Sequence, residues 1–310
     1  MAASSPVSCC IAGLWAGIAP DMIRRTRFEG DGAMPKLLTN DAIASYKRDG
    51  YYSPVRVMSA ADARRYRVAL EAHEAVKGEP LQGNWRHKTH LLFTWADELV
   101  HHPKIVDAIE DVIGPDIFCW TTNFFIKEAV NPGFISWHQD STYWGLEPHD
   151  VITAWVAFTR SDLVSGCMKV IPGTHMGDQL AHVDTFHKHN LLSRGQEIAV
   201  DVDQSRAVPI LLEPGEMSLH HIKLVHGSEP NRSNDRRIGF AIRYIPTYVK
   251  QLKVRDSATL VRGVDRYGHF DHEPRPKGDL DERALAAHAD AVGRQVKALY
   301  QGTDKTAFRA

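Results

Sequence analysis

The run Ile117-Phe118-Cys119-Trp120-Thr121-Thr122-Asn123-Phe124-Phe125-Ile126-Lys127 decides the fold class. Aromatic and β-branched residues dominate it, and these suit a pleated, packed surface better than a helix. The turn signal Asn131-Pro132-Gly133 follows, and further runs of the same kind cover 134–138, 151–158, 168–171, 208–212, 216–222 and 238–244. Pro172-Gly173 and Glu213-Pro214-Gly215 separate some of them. Short strands in succession, with no helical pattern alternating between them, predict a sandwich or jelly roll and not a parallel α/β sheet. The expected fold is mainly β with flanking helices.

Upstream the pattern is helical. Thr39-Asn40-Asp41 caps a short helix that Asp49-Gly50 stops before the β-rich residues 51–57. Ser59 with Asp62 imitates a capping box ahead of Ala63, Tyr66 and Leu70 on one face, and Pro103 opens a helix carrying Ile105, Ile109 and Val112 that Gly114-Pro115 ends. Downstream, the polar residues 176–205 read as an insertion or active-site loop, and Leu285, Ala289, Val292, Val296 and Leu299 mark a C-terminal amphipathic helix. This divides the chain into an extension, 1–33, and a single domain, 34–310. The domain has a helical part (34–115), a jelly-roll core (116–250) and a C-terminal lid and helix (251–310). Residues 1–33 carry no strand or strong helix signal and read as a disordered or mis-called extension. No Lys or Arg precedes the weakly apolar residues 7–19, which argues against a secretory signal, while Arg24, Arg25 and Arg27 leave an organellar targeting segment as the alternative.

Composition excludes several classes. Lys+Arg 37 against Asp+Glu 38 leaves a formal net charge of −1 over 310 residues, which lends no support to a nucleic-acid or anionic-membrane surface. At 43% hydrophobic residues, the chain has no apolar run near the roughly 18 residues of a membrane span, and it is too apolar for global disorder. Four cysteines, two of them the adjacent Cys9 and Cys10, are too few for a disulfide framework, so a reducing, cytoplasmic setting is expected.

Seventeen histidines give four His-x-Asp triplets, at His138-Asp140, His182-Asp184, His269-Asp271 and His288-Asp290. Chance alone supplies about one, so the triplet by itself says little. Context separates them. His138-Gln139-Asp140 ends a strand-like run, where extended geometry puts both ligating side chains on one face and Gln139 on the other. The 288 pair lies on a helix, the 269 pair in a loop bounded by Gly and Pro, and the 182 pair in the polar segment. The 138 pair is followed by His226, in Leu224-Val225-His226-Gly227-Ser228, and by Arg237, in Arg236-Arg237-Ile238-Gly239-Phe240. Two His and one Asp make a facial triad that leaves three positions open on Fe(II). An arginine eleven residues on can pair the far carboxylate of a 2-oxo acid chelating that metal.

From about Lys88 to Tyr244 the chain resembles the phytanoyl-CoA dioxygenase-like Fe(II)/2-oxoglutarate oxygenases. The matching blocks are Ser136-Trp137-His138-Gln139-Asp140, Thr153-Ala154-Trp155-Val156-Ala157, Gly166-Cys167-Met168 with Ile171-Pro172-Gly173-Thr174-His175, and His226-Gly227-Ser228 through Asn231. The resemblance implies a double-stranded β-helix (a jelly roll, cupin-like) with His138, Asp140 and His226 as iron ligands. It also implies Arg237 and Ser228 on the 2-oxoglutarate distal carboxylate, Trp155 as a wall of the cosubstrate pocket and Lys88 near the cosubstrate. Fe(II), 2-oxoglutarate and O2 would then hydroxylate or otherwise oxidise an unactivated C–H bond of a small-molecule metabolite, releasing succinate and CO2. With Asp at position 140, where halogenating relatives carry a small residue, chlorination is not expected.

Substrate contacts are expected from Ser141, Thr142, Tyr143 and Trp144, and from Tyr267, His269, Phe270 and Arg275 in a segment able to close as a lid. Scattered charge offers no groove for the phosphates of a CoA thioester. Plainer roles stand beside these: Trp155 as core, His175 in packing, His220 or His221 hydrogen-bonded behind the ligands, and Arg236 as a solvated charge. Two other functions stay open, a cupin-like binding or regulatory protein without turnover and a Zn or Mn cupin enzyme that uses no 2-oxo acid. Oligomeric state is not legible. A chain starting at Met34 is expected to keep its melting temperature and turnover; a large loss of either would mean that residues 1–33 pack on the domain.

Overall fold

In the computed structural model, which describes residues 34–308, the chain enters through helices whose ends are set by their own side chains. Helix α1 (Asn40–Asp49) starts where the Thr39 hydroxyl accepts from the Ala42 amide and stops at Gly50 with φ 79°, a conformation that favours glycine. Ser59 and Gly78 do the same for α2 (Ala60–Lys77), and Pro103 and Gly114 bound α4 (Pro103–Ile113). Helix α3 (Thr94–Val100) lacks a side-chain cap, which is why no start signal betrays it; burial of Trp95, Ala96, Leu99 and Val100 holds it. A single turn, α5 (Ser141–Trp144), and the Asp281-capped α6 (Glu282–Leu299) complete the described helices, none long and apolar enough to cross a membrane. The expectations for residues 1–33 lie outside the described residues.

Strands are numbered in chain order. The larger sheet runs β1 (Tyr51–Arg56), β10 (Glu216–His221), β5 (Ile152–Ala157), β12 (Arg237–Pro246), β2 (Ile117–Lys127), β14 (Ser257–Arg262) and β15 (Asp271–His272). The smaller runs β3 (Ile135–His138), β11 (His226–Ser228), β6 (Met168–Val170) and β9 (Val208–Pro209). Two short pairs remain, β4 (Leu146–Glu147) with β13 (Lys250–Gln251), and β7 (His182–Asp184) with β8 (Gln196–Ile198). Pairing is antiparallel throughout, except that β14 and β15 run parallel. This is the expected jelly roll, with α1 to α4 contributing to one core and α6 to a separate cluster with Phe118, Trp120 and Trp144.

Strand parity explains the layering. Along β12, Ile238, Phe240, Ile242 and Tyr244 join Tyr66, Leu70, Trp95, Leu99, Ile105 and Ile109 of the helices in one core. Ala241 belongs instead to a second cluster with Trp155, Met168 and Val170, which reaches the smaller sheet. The cleft lies on that second side.

Two segments differ from expectation. Residues 176–205 contain the β7–β8 pairing, with His182 opposite Ile198, and so are not a continuous loop. Residues 257–262 form an inner strand of the large sheet, with Thr259 opposite Cys119 and Leu260 opposite Phe118, in place of a lid. Six residues of mixed polarity give little periodic signal, and only the partner strand turns them into sheet.

A buried ion pair ties this edge to the first third of the chain. Lys88 Nζ sits 2.5 Å from Glu273 Oε1 and also donates to the carbonyls of Trp120 and Ser257 at 2.6 and 3.0 Å. Ser257 and Thr259 hydroxyls donate to the same carboxylate, and His90 lies beside it. Burial alone would raise the Glu273 carboxyl, but the Lys88 charge and the His90 hydrogen bond hold it well below the usual carboxylate range. Breaking such a pair strands a buried charge, so Glu273→Gln is expected to cost about 3–5 kcal/mol in urea unfolding. Lys88→Met with Glu273→Leu together are expected to lose less than the single change; an equal or larger loss would show that the cluster's remaining hydrogen bonds carry the stability.

Candidate metal centre

The register of the smaller sheet brings the first two groups together. His138 ends β3 directly opposite His226 at the start of β11, and their ring centroids are 4.1 Å apart. Asp140 arrives by a turn. Its backbone has left the strand (φ −62°, ψ −31°) and caps α5, so the chain's bend, and not extended alternation, sets Asp140 Oδ1 3.4 Å from His138 Nε2. Gln139 turns away from the ligand cluster yet stays buried, its amide donating to the Lys223 carbonyl at 2.8 Å and its oxygen accepting from the Leu180 amide at 2.8 Å, which fastens the turn.

The ligand atoms of His138, Asp140 and His226 all lie within 4.8 Å of one another, and all three residues are buried. Nδ1 of His138 donates to the Ser136 carbonyl and Nδ1 of His226 to the Leu224 carbonyl, each at 2.9 Å. Those bonds commit the tautomers and leave each Nε2 lone pair free to ligate. Burial and the neighbouring His138 push His226 down to about 4, keeping it neutral and metal-competent near pH 7. Burial opposes charge on Asp140, yet its contact with His138 and the fields of His226 and Arg243 hold its carboxyl well below the usual range. Asp140 Oδ2 is buried without a hydrogen-bond partner. Two imidazoles and one carboxylate with an orphaned oxygen fit a divalent cation.

Around this triad opens a cleft of two lobes that share Phe125, Asp140, Leu192 and Arg243. The inner lobe carries Trp155, Ser228 and Arg237 beside the triad. Arg237 is 2% exposed, its Nη1 donates to the Gly166 carbonyl at 2.6 Å, and its Nε has no partner. Burial lowers it to about 10, so it stays charged at neutral pH. Trp155 lies against Gly239, where a Cβ would come 1.8 Å from the indole; only glycine lets the ring lie flat there, 5.3 Å from the Arg237 guanidinium. Arg236 is no solvated charge: it pairs Glu74 of α2 at 2.7 Å and Glu128 at 2.9 Å.

Several expected residues are not brought here. Lys88 is taken up by Glu273 and lines neither lobe. Tyr267 is 53% exposed and packs on His269 and Tyr248, Phe270 is buried against Phe118, and Arg275 pairs Asp97. The chain around 257–275 builds the sheet edge and its supports, so those side chains point into other work. Trp144 lines the outer lobe, whereas the Tyr143 hydroxyl is bound by Asp184 at 2.6 Å and its ring is covered by Arg194. Ser141 and Thr142 bond Gln179 and the Gln139 carbonyl. The other triplets are employed elsewhere: His182 Nε2 accepts from the Gln139 amide, Asp271 pairs Arg255 and Arg294, and His288 bonds the His87 carbonyl. His220 lies 5.0 Å from His226 and is kept neutral by burial, while His221 and His175 pack together on the other side.

Five contributors to the cleft were not picked out as site residues in the sequence. Lys127, at the end of β2, donates to Ser228 Oγ at 2.7 Å and to the carbonyls of Gly166 and Glu229; burial and Arg237 lower its amine to about 6. Its signal was parity, since it shares a strand face with Phe125. Arg243 shares one with Arg237 for the same reason. Gln295, Leu299 and Phe308 wall the outer lobe from the C-terminal side, and only tertiary folding puts them there.

A family model described as phytanoyl-CoA dioxygenase (PhyH) matches residues 46–239. The chain is 32% identical over 162 residues to a probable alpha-ketoglutarate-dependent hypophosphite dioxygenase of Stutzerimonas stutzeri, covering 50% of this chain and 54% of that protein. It is 29% identical over 161 residues to the peroxisomal phytanoyl-CoA dioxygenase of Rattus norvegicus, covering 50% and 47%. The matches thus span about half the length of these curated relatives. Among solved structures, the non-heme monooxygenase ThoJ in its apo form superposes with a TM-score of 0.74 at 37% identity, covering 84% of this chain and 98% of that one. CytC3 with Fe(II) and alpha-ketoglutarate superposes at 0.59 and 26% identity, covering 79% and 96%. The family match takes in well over half of the chain, and the triad and Arg237 fall inside it. The chain therefore belongs to the phytanoyl-CoA dioxygenase family of non-haem Fe(II)- and 2-oxoglutarate-dependent oxygenases.

Proposed function

We propose that this oxygenase oxidises an unactivated C–H bond of a small-molecule metabolite, by default hydroxylating it, with release of succinate and CO2. The observation that carries the reading is one cavity holding both a buried triad with an orphaned carboxylate oxygen and a buried arginine with no counter-ion among the described residues. A metal-binding protein without turnover, or a Zn or Mn enzyme using no 2-oxo acid, leaves that arginine without employment.

His138, Asp140 and His226 would hold Fe(II), which with 2-oxoglutarate and O2 supplies the oxidant. Arg237 offers the planar fork that suits the far carboxylate of the cosubstrate. Lys127 presents the Ser228 hydroxyl beside it, and the Trp155 indole shields the carboxylate end from water. Trp120 and Trp144, 5.0 Å apart, wall the outer lobe where a substrate would lie. The protein's part is to orient the C–H bond and keep the site dry, while the hard chemistry belongs to the cofactor.

Anaerobic addition of Fe(II) and 2-oxoglutarate is expected to produce a visible metal-to-ligand charge-transfer band, and O2 then to yield succinate. A protein that retains iron yet shows neither would overturn the reading. Alanine at His138, Asp140 or His226 is expected to weaken Fe(II) binding at least about a hundredfold, with His269→Ala within twofold of the unmodified protein. Arg237→Leu is expected to raise the apparent 2-oxoglutarate constant more than tenfold, within the roughly 2–5 kcal/mol of a buried charge pair, while iron is retained. Were Arg236→Leu to give that phenotype instead, the cosubstrate would lie on the opposite face of β12.

A further inference from the structure

Arg243 stands six residues beyond Arg237 on β12, so strand parity turns both guanidinium groups into the cleft. It is 4% exposed and lines both lobes. Nη1 donates to Asn123 Oδ1 at 2.7 Å, and the Asn123 amide in turn meets His87 Nδ1 at 2.9 Å, a relay that fixes the fork's orientation. The rings of Phe125 and Trp144 hold it at 5.5 and 5.3 Å. Its Nε has no partner, and among the described residues no carboxylate oxygen lies within 4.0 Å of it.

The charges facing the cleft are unbalanced. Arg86, Arg237 and Arg243 line the two lobes, and Asp140 is the one acidic residue among the lining groups. Asp140 belongs to the metal and Arg237 to the cosubstrate. Arg86 donates to the Leu81 carbonyl and lies in the field of Glu128 and Glu74. Arg243 is left with a buried charge and an unfilled donor, a costly arrangement that an incoming anion relieves. Its planar fork matches a carboxylate bidentately, and the Trp120–Trp144 wall beside it suits an apolar body.

We propose that Arg243 is the substrate-recognition residue of the outer lobe, and that the substrate is an organic acid whose carboxylate docks there with its apolar part against Trp120 and Trp144. This rests on the oxygenase reading above, for which it names the substrate class.

The test is equilibrium binding to the full chain loaded with Zn(II) and saturating 2-oxoglutarate, which allows no turnover. The probes are a panel of alkanoic and arylalkanoic acids with their matching primary amides, followed by calorimetry and saturation-transfer NMR. At least one acid is expected to bind tenfold or more tightly than its amide. Arg243→Met is expected to erase that preference with 2-oxoglutarate affinity held within threefold, and Arg243→Lys to restore part of it. If no acid outbinds its amide, or if Arg237→Leu and not Arg243→Met removes the preference, the proposal is overturned. The comparison of acid with amide in the unmodified protein needs no variant to fold. A missing charge-transfer band in the Fe(II) form would defeat the oxygenase reading while leaving the acid preference measurable, so the two failures are separable.

Discussion

A strand buried on both faces must sort its side chains by parity, and β12 is buried along its whole length. Ile238, Phe240, Ile242 and Tyr244 go to the helical layer, where the Tyr244 hydroxyl reaches the Val100 carbonyl at 2.8 Å. Arg237, Gly239, Ala241 and Arg243 therefore face the cleft. A slip of one residue would drive two arginines into the helical core and four large apolar groups into the site, so register and function are settled together. Gly239 completes the arrangement, because its missing side chain is the space that Trp155 occupies.

Buried charge is the recurring difficulty of this molecule, and it is met in different ways at different depths. Lys88 is neutralised by Glu273 and two carbonyls, and it serves to hold the chain's first third to its last. Arg236 reaches outward to Glu74 and Glu128. Lys127 gives up its proton readily, lowered to about 6 by burial and by its neighbour Arg237. Among the described residues, only Arg237 and Arg243 keep a charge with an unfilled buried donor, and both line the cleft. Perturbed or uncompensated groups gathered in one cavity mark a candidate binding site.

The His138, Asp140 and His226 cluster depends on two unlike local structures. Opposed strands supply His138 and His226 with little freedom, since each ring is also held through Nδ1 to a carbonyl. A turn supplies Asp140, anchored by Gln139 and by the His182 ring. The segment 176–205 thus braces the ligand turn from outside, which gives that polar stretch a structural task close to the site.

Much was legible in the sequence. Helix ends declared themselves through Thr39, Ser59, Pro103 and the glycines that follow, because capping is a matter of a few neighbouring residues. The strands from 117 to 244 were legible because β-branched and aromatic residues cluster there between turn signals. The triad stood out from three look-alike triplets through its strand context and through His226 and Arg237 downstream. What the sequence could not determine was which distant segments meet. Lys88 finding Glu273, residues 257–262 pairing with β2, and Phe308 and α6 walling the outer lobe all join parts of the chain far apart in number. Local propensity has no term for such encounters; burial of complementary surface decides them, and so tertiary structure decided which distant side chains join Trp144 in walling the outer lobe.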